Sequence, residues 1–271
     1  MILAINWTVD SEIIDGWRTP NLYGLLFVTG LILGYFVVKR MFKQEQISDV
    51  LLDKLVWFMI PATVIGARLG HVFFYGPLFD NVQNGVVVDR GYLSHPADIF
   101  KIWEGGLASH GAAIAIILTM FYIQKRVIKR SFLWILDRIV IPVSLGAIFI
   151  RLGNFFNSEI VGIKTDSALG IKFLRDEYGA REAMQLTQTT SAQEAYQAIA
   201  TQPQFATLLA NVSPKHPAQL YEAICYVFVF LILMFLYWKT EARNKAGYLF
   251  GLFLILLWSI RFAVEFVKES Q

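Results

Sequence analysis

The stretch Arg151-Leu-Gly-Asn-Phe-Phe-Asn-Ser-Glu-Ile-Val-Gly162 follows directly on an apolar run, Ile139 to Ile150. It sets one arginine, two asparagines (Asn154 and Asn157) and one glutamate (Glu159) where a hydrophobic segment meets water. Other apolar runs also carry polar groups: Arg68, His110, Gln219 with Glu222, and Arg261 with Glu265, while Tyr23 begins the first run. Charge at membrane depth is costly unless it is paired or lines a polar cavity, so each of these residues is a candidate for a site. Several arginines suit a phosphate group, because a guanidinium forks onto phosphate oxygens. The chain has no HExxH, Cys/His cluster, GxSxG or P-loop, so the motifs call for neither metal nor cofactor. The simplest chemistry left is direct transfer. A phosphate ester is the leaving group, held by arginines, and a base such as His110 deprotonates the incoming nucleophile.

Each residue also has a plainer reading. Arg261 and Glu265 stand at i and i+4 and share a helix face, where they can simply neutralise one another. His110, in Trp103-Glu-Gly-Gly-Leu-Ala-Ser-His-Gly111, can serve as a packing histidine. Asp137-Arg138 reads as a pair snorkelling at a membrane boundary. Cys225 lies in an apolar run and reads as packing, with no neighbour in sequence to activate its thiol. Gly30, Gly34, Gly66 and Gly70 read as close-packing positions between helices.

The elements that position these residues follow from composition. Of 271 residues, 56% are hydrophobic and 17% charged, and mean hydropathy is +0.50. A soluble domain carries about 25% charged residues. The pattern implies an all-α polytopic membrane protein. At about 20 apolar residues per crossing, six spans are visible: Leu22 to Val38, Leu55 to Tyr75, Gly105 to Ile123, Phe132 to Phe156, Leu220 to Trp238 and Gly247 to Val267. The loops 39–54, 125–130 and 239–246 are rich in Lys and Arg, which makes them cytoplasmic by the positive-inside rule. The N-terminus, 76–104 and 157–217 then lie outside. The expected organisation is an external arm over 1–20, four spans over 21–156, a small external head over 157–217 and two spans over 218–271. Within the head, Ser191 to Val212 has helical apolar spacing (Tyr196, Ile199, Phe205, Leu208, Leu209). The N-terminus lacks a basic n-region and does not read as a signal peptide. A net charge of +3 is too small to suggest a nucleic-acid partner.

Topology converts position into depth at about 1.5 Å per residue. Arg68 and Arg261 each fall about 20 Å from the cytoplasmic face. Arg151 falls near the outer boundary, and His110 about 8 Å in from outside. Tyr23, Gln219 and Glu222 begin spans from the outer side. The expectation is one polar cavity open toward the outer leaflet.

These residues lie in motifs that resemble bacterial prolipoprotein diacylglyceryl transferase. The twelve-residue stretch resembles that family's signature. Leu22-Tyr-Gly24, Gly66-Ala-Arg-Leu-Gly70, Trp103 to Gly111, His216-Pro-Ala-Gln-Leu-Tyr-Glu222 and Arg261-Phe-Ala-Val-Glu-Phe266 match in the family's order. Together they cover most of the chain outside 163–215. The resemblance implies transfer of the diacylglyceryl group of phosphatidylglycerol to the lipobox cysteine thiol of a preprolipoprotein signal peptide, in the bacterial cytoplasmic membrane. Glycerol phosphate leaves and a thioether forms. Carried over motif by motif, Arg151 binds the lipid phosphate, and Asn154, Asn157, Glu159 and Gly162 shape its site. Arg68, Gln219 and Glu222 join the lipid-binding set. Arg261 with Glu265 holds or polarises the head group, Tyr23 lines the cavity, and His110 is the candidate base, with an arginine-assisted route as its alternative. The chain departs from the family at Ile150, where the signature begins with Gly, and at Ala112, where a second Gly is frequent. Leu257 stands where some members have tyrosine. The family has one further span after the Arg261–Glu265 helix, so the resemblance implies a chain continuing beyond Gln271. Three rivals stand beside this reading: a transporter or channel for an anionic solute, a lipid-using transferase with another acceptor, and a non-catalytic lipoprotein-binding scaffold.

Overall fold

The computed structural model describes residues 5–9, 11–13, 20–83, 86–101, 106 and 108–269. The first strand is β1 (Ile5–Trp7). Helices α1 (Leu22–Gln44), α2 (Asp49–Phe74), α3 (Ser109–Ile123) and α4 (Phe132–Phe156) follow, with a hairpin of β2 (Asn81–Gln83) and β3 (Val86–Asp89) between α2 and α3. Next come β4 (Ile171–Phe173) and four short helices: α5 (Leu174–Glu177), α6 (Ala180–Thr187), α7 (Ala192–Thr201) and α8 (Ala206–Asn211). Two long helices, α9 (Ala218–Lys239) and α10 (Tyr248–Glu265), complete the order. Six helices are long and apolar enough to cross a membrane, the third being α3 with its π-helical continuation to Ile128. Their outward faces are apolar: Phe36, Trp57, Phe73, Leu118, Phe228, Phe235 and Trp258 are all exposed. In water such a surface would aggregate, whereas in lipid it is the ordinary condition of a spanning helix. The protein is an all-α polytopic membrane protein with little sheet.

The residues fall into two units, 39–136 and the remainder. In the first, α2 and α3 pack through small residues. A Cβ on Gly66 would meet Ala115 Cβ at 2.3 Å and Gly111 O at 2.7 Å, and one on Gly70 would meet Gly111 Cα at 2.6 Å. Without a hydrophobic drive between helices in lipid, such backbone approach is the main source of adhesion. Ser48 caps α2, accepting from Val50 N at 3.2 Å. The third helix starts later than composition suggested, at Ser109 instead of Gly105. The backbone explains the delay: Gly106 is left-handed at φ 70° and Ala108 is extended. Trp103 to Gly105 and Leu107 lie outside the described residues.

In the second unit, α1 meets α4 where Gly30 lies against Phe149 and Gly34 against Pro142, each at 3.2 Å from an added Cβ. Asp137, expected to snorkel, is fully buried. Its two oxygens accept from Gly247 N (2.7 Å) and Phe250 N (2.8 Å), so a side chain from α4 caps α10. The first turn of a helix presents unpaired N–H groups and a partial positive charge, which a buried carboxylate satisfies where water is excluded. Arg138, also buried, donates to Arg243 O at 3.0 Å.

Between α4 and α9 the chain builds two things. Residues 174–212 close a small core of Leu174, Tyr178, Ala183, Ala195, Tyr196, Ile199 and Val212. Extended Gln202, followed by a 3-10 turn over Pro203–Phe205, divides the expected helix over 191–212 into α7 and α8. Beside that core runs a narrow ribbon of backbone pairs. Residue 268 bridges Gly162, Lys164 bridges Lys215, Lys215 bridges Ile171, and β4 pairs in parallel with β1.

Candidate functional site

The site grows from the end of α4. Arg151 stands five residues before that helix ends, Glu222 four residues after α9 begins, and Arg261 four residues before α10 ends. Three helices thus bring these side chains to one level. The Glu222 carboxylate is shared: one oxygen pairs with Arg151 Nε and the other with Arg261 Nη1 at 3.1 Å. Only 4% of the Glu222 side chain is exposed, against 14% for Arg151 and 33% for Arg261. Two guanidiniums on one carboxylate leave a net positive charge with N–H donors to spare. That arrangement has the chemistry to receive a phosphate, since the donors are already oriented and partly dehydrated.

Arg261 therefore finds its partner across helices. Glu265, the i+4 candidate, is exposed, and among the described residues it makes no ion pair with Arg261. Tyr226, which sequence reasoning overlooked, is buried one turn beyond Glu222 and interacts with Arg151. Its signal was available: Glu222 and Tyr226 are at i and i+4 and share a face.

The signature loop continues from the triad. Asn154 accepts from Arg151 Nη1 and donates to Glu159 Oε2, each at 3.4 Å, and Asn157 donates to Glu159 Oε1 at 3.2 Å. Gln219 Nε2 donates to the Glu159 carbonyl. Ser158 and Ile160 both adopt the left-handed region, at φ 55° and 57°. That conformation is rare outside glycine, especially for a β-branched residue, and marks a turn held by its surroundings. Gly162 lies outside the triad. A Cβ there would strike Val267 O at 2.4 Å and His216 Cβ at 2.6 Å, so glycine lets two chain segments close on the loop from either side. Gly153 does the same for Tyr23, whose ring occupies the space a Cβ would need (2.6 Å) within the field of Glu159 and Arg151.

Lys215 ties the loop's flanks together. Its ammonium contacts Asp176 of α5 at 2.7 Å and Glu269 at 2.8 Å. Burial pulls the Lys215 pKa down, but the hydrogen bonds to Asp176 and Glu269 more than offset this, and the group sits above the ordinary lysine range.

Arg68 and His110 belong to the other unit and have their own partners. Arg68 is buried and donates to three carbonyls, Ile99 O (2.8 Å), Gly106 O (3.1 Å) and Asp98 O (2.5 Å), while lying 5.2 Å from the Tyr92 ring centre. It gathers the 76–106 connection onto α2. In that connection Asp80 accepts from Gly91 N at 2.7 Å and pairs with His95. Chiefly through the Gly91 bond, its pKa lies below the usual carboxylate range. His110 is the second residue of α3, so it sits at the helix end instead of about 8 Å inside it. Its Nδ1 lies 3.3 Å from the Tyr75 hydroxyl, and Tyr75 stacks on His71.

Six membrane-length helices define a polytopic membrane protein, and its two paired arginines lie near helix ends. The family model for prolipoprotein diacylglyceryl transferase matches residues 16–271, and the chain belongs to that family. Among curated relatives it is similar to the phosphatidylglycerol–prolipoprotein diacylglyceryl transferase of Tolumonas auensis, 37% identical over 266 residues that cover 98% of this chain and 85% of the relative. The protein of the same name from Porphyromonas gingivalis is 37% identical over 271 residues (98% and 82% covered). That from Bacteroides fragilis is 31% identical over 273 residues (100% and 86%).

Proposed function

We propose that this protein transfers the diacylglyceryl group of phosphatidylglycerol to the lipobox cysteine of preprolipoproteins, the first step of bacterial lipoprotein maturation. The carrying observation is the Arg151–Glu222–Arg261 group, and family membership supports the choice of reaction. The cysteine sulfur attacks the glyceryl carbon next to the phosphate. A C–S bond forms, the C–O bond to phosphate breaks, and its electron pair stays on the departing glycerol phosphate. The charge that develops on that oxygen falls to Arg151 and Arg261, whose donors need no rearrangement at the moment of reaction. Glu222 holds the two guanidiniums apart and in place, and Asn154, Asn157 and Glu159 hold Arg151 from the loop side. His110 is the candidate acceptor of the thiol proton, a role that rests on its motif. The reaction runs at the outer leaflet of the cytoplasmic membrane, with the 157–217 head outside, as the placement of basic loops supports.

The test is reconstitution with phosphatidylglycerol and a lipobox peptide, read by mass spectrometry. A thioether-linked diacylglyceryl peptide and free glycerol phosphate are expected. A peptide recovered unmodified from correctly inserted enzyme would sink the proposal.

A further inference from the structure

Beside the signature loop lies an open cleft of about 580 Å³, lined by Asn157, Ser158, Glu159 and Ile160 on one wall and Arg175 and Asp176 of α5 on the other. We propose that it binds the acceptor polypeptide just beyond the modified cysteine. The proposal rests on the transferase reading above and adds a binding site to it.

Lining chemistry selects the occupant. Ile160 is the only apolar residue of the six, which disfavours an acyl chain. Two carboxylates, Glu159 and Asp176, outnumber the Arg175 guanidinium, which disfavours a phosphate group. An extended polypeptide offers a donor and an acceptor at every residue and suits a polar wall of mixed sign. The volume is within the range of ligand sites, roughly 300–1,000 Å³, enough for a few residues of extended chain.

Position supports the same occupant. Glu159 belongs to both places: it lines the cleft, its carboxylate is held by Asn154 and Asn157, and Asn154 in turn touches Arg151. The cleft therefore begins where the phosphate-binding group ends. A thiol reacting at Arg151 and Arg261 belongs to a chain whose polar continuation has to leave the lipid, and this cleft is a polar way out. Its far wall is held in advance. Arg175 donates to Ser11 at 3.0 Å and Asp176 is paired with Lys215 at 2.7 Å. A wall fixed before binding lowers the ordering cost of catching a flexible chain.

The experiment uses the whole enzyme with phosphatidylglycerol and two lipobox peptides, one ending at the cysteine and one extended by several residues. The wild-type enzyme is expected to favour the extended peptide in kcat/KM by roughly tenfold, about 1.4 kcal/mol. In Asp176→Asn and Arg175→Gln that ratio collapses toward one, mostly through KM for the peptide. Arg175→Glu is expected to gain preference for peptides with lysine after the cysteine, a gain that loss of folded protein cannot mimic. A ratio unchanged in all three variants overturns the cleft assignment while transfer itself stands. Absence of thioether product from either peptide overturns the transferase reading and the cleft with it.

Discussion

At the scale of single residues, the decisive feature is one carboxylate serving two arginines. Glu222→Gln keeps the shape but leaves two guanidiniums facing each other in a half-dry site. The cost is on the order of 2 kcal/mol, below the 3–5 of a fully buried pair because Arg261 keeps 33% of its side chain exposed. Thermal unfolding in detergent should register that loss, and transfer should fall at least tenfold. Arg151→Lys keeps the charge and removes the fork, so a rise in KM for phosphatidylglycerol with intact insertion is expected; normal kinetics would dismiss bidentate phosphate binding. Tyr75→Phe takes away the hydroxyl beside His110 Nδ1. A several-fold lower kcat with unchanged KM for lipid is expected if that contact orients the ring. The sequence exposed Arg151, Glu222, Arg261 and His110 because they interrupt apolar runs or stand at their ends. It misassigned Arg261's partner, because i,i+4 spacing is visible in one dimension and a contact between α9 and α10 is not.

At the scale of elements, helix ends and helix contacts carry the argument. Asp137→Ala removes the cap of α10 and should cost about 1–2 kcal/mol, measurable as a lower unfolding temperature in detergent with the spectrum of the remaining fold retained. The Lys215 clamp gives a pH dependence with a definite sign. Its pKa is raised in the folded state, so its stabilisation is complete below the ordinary lysine value of about 10.4 and is lost as pH climbs through the higher folded value. Unfolding temperatures of wild type and Lys215→Met should converge as pH rises above that value, and a constant gap would rule the clamp out. The long helices were legible from composition alone. The ribbon of β1, 161–165, β4 and 214–216 was not, since three-residue strands are too short to show a period.

At the scale of the whole molecule, basic loops on alternate connections predict that the signature loop faces outward. With Leu169→Cys in the exposed turn of the head and Arg126→Cys after α3, an impermeant thiol reagent should label the first in intact spheroplasts. It should label the second only after permeabilisation. The reverse pattern would invert the orientation.

Length, apolar spacing and charge placement by themselves determined the class of protein, because a bilayer imposes one requirement on every segment that crosses it: about 20 apolar residues with all backbone groups paired internally. They also placed each polar residue along its helix, because rise per residue is constant in a helix. Who pairs with whom was decided only in three dimensions. Glu222 between Arg151 and Arg261, Asp137 on the end of α10, Lys215 between α5 and the C-terminal segment, and Arg68 on three carbonyls all join residues far apart in sequence. Such contacts depend on where helix ends meet, a property of packing that no local pattern records.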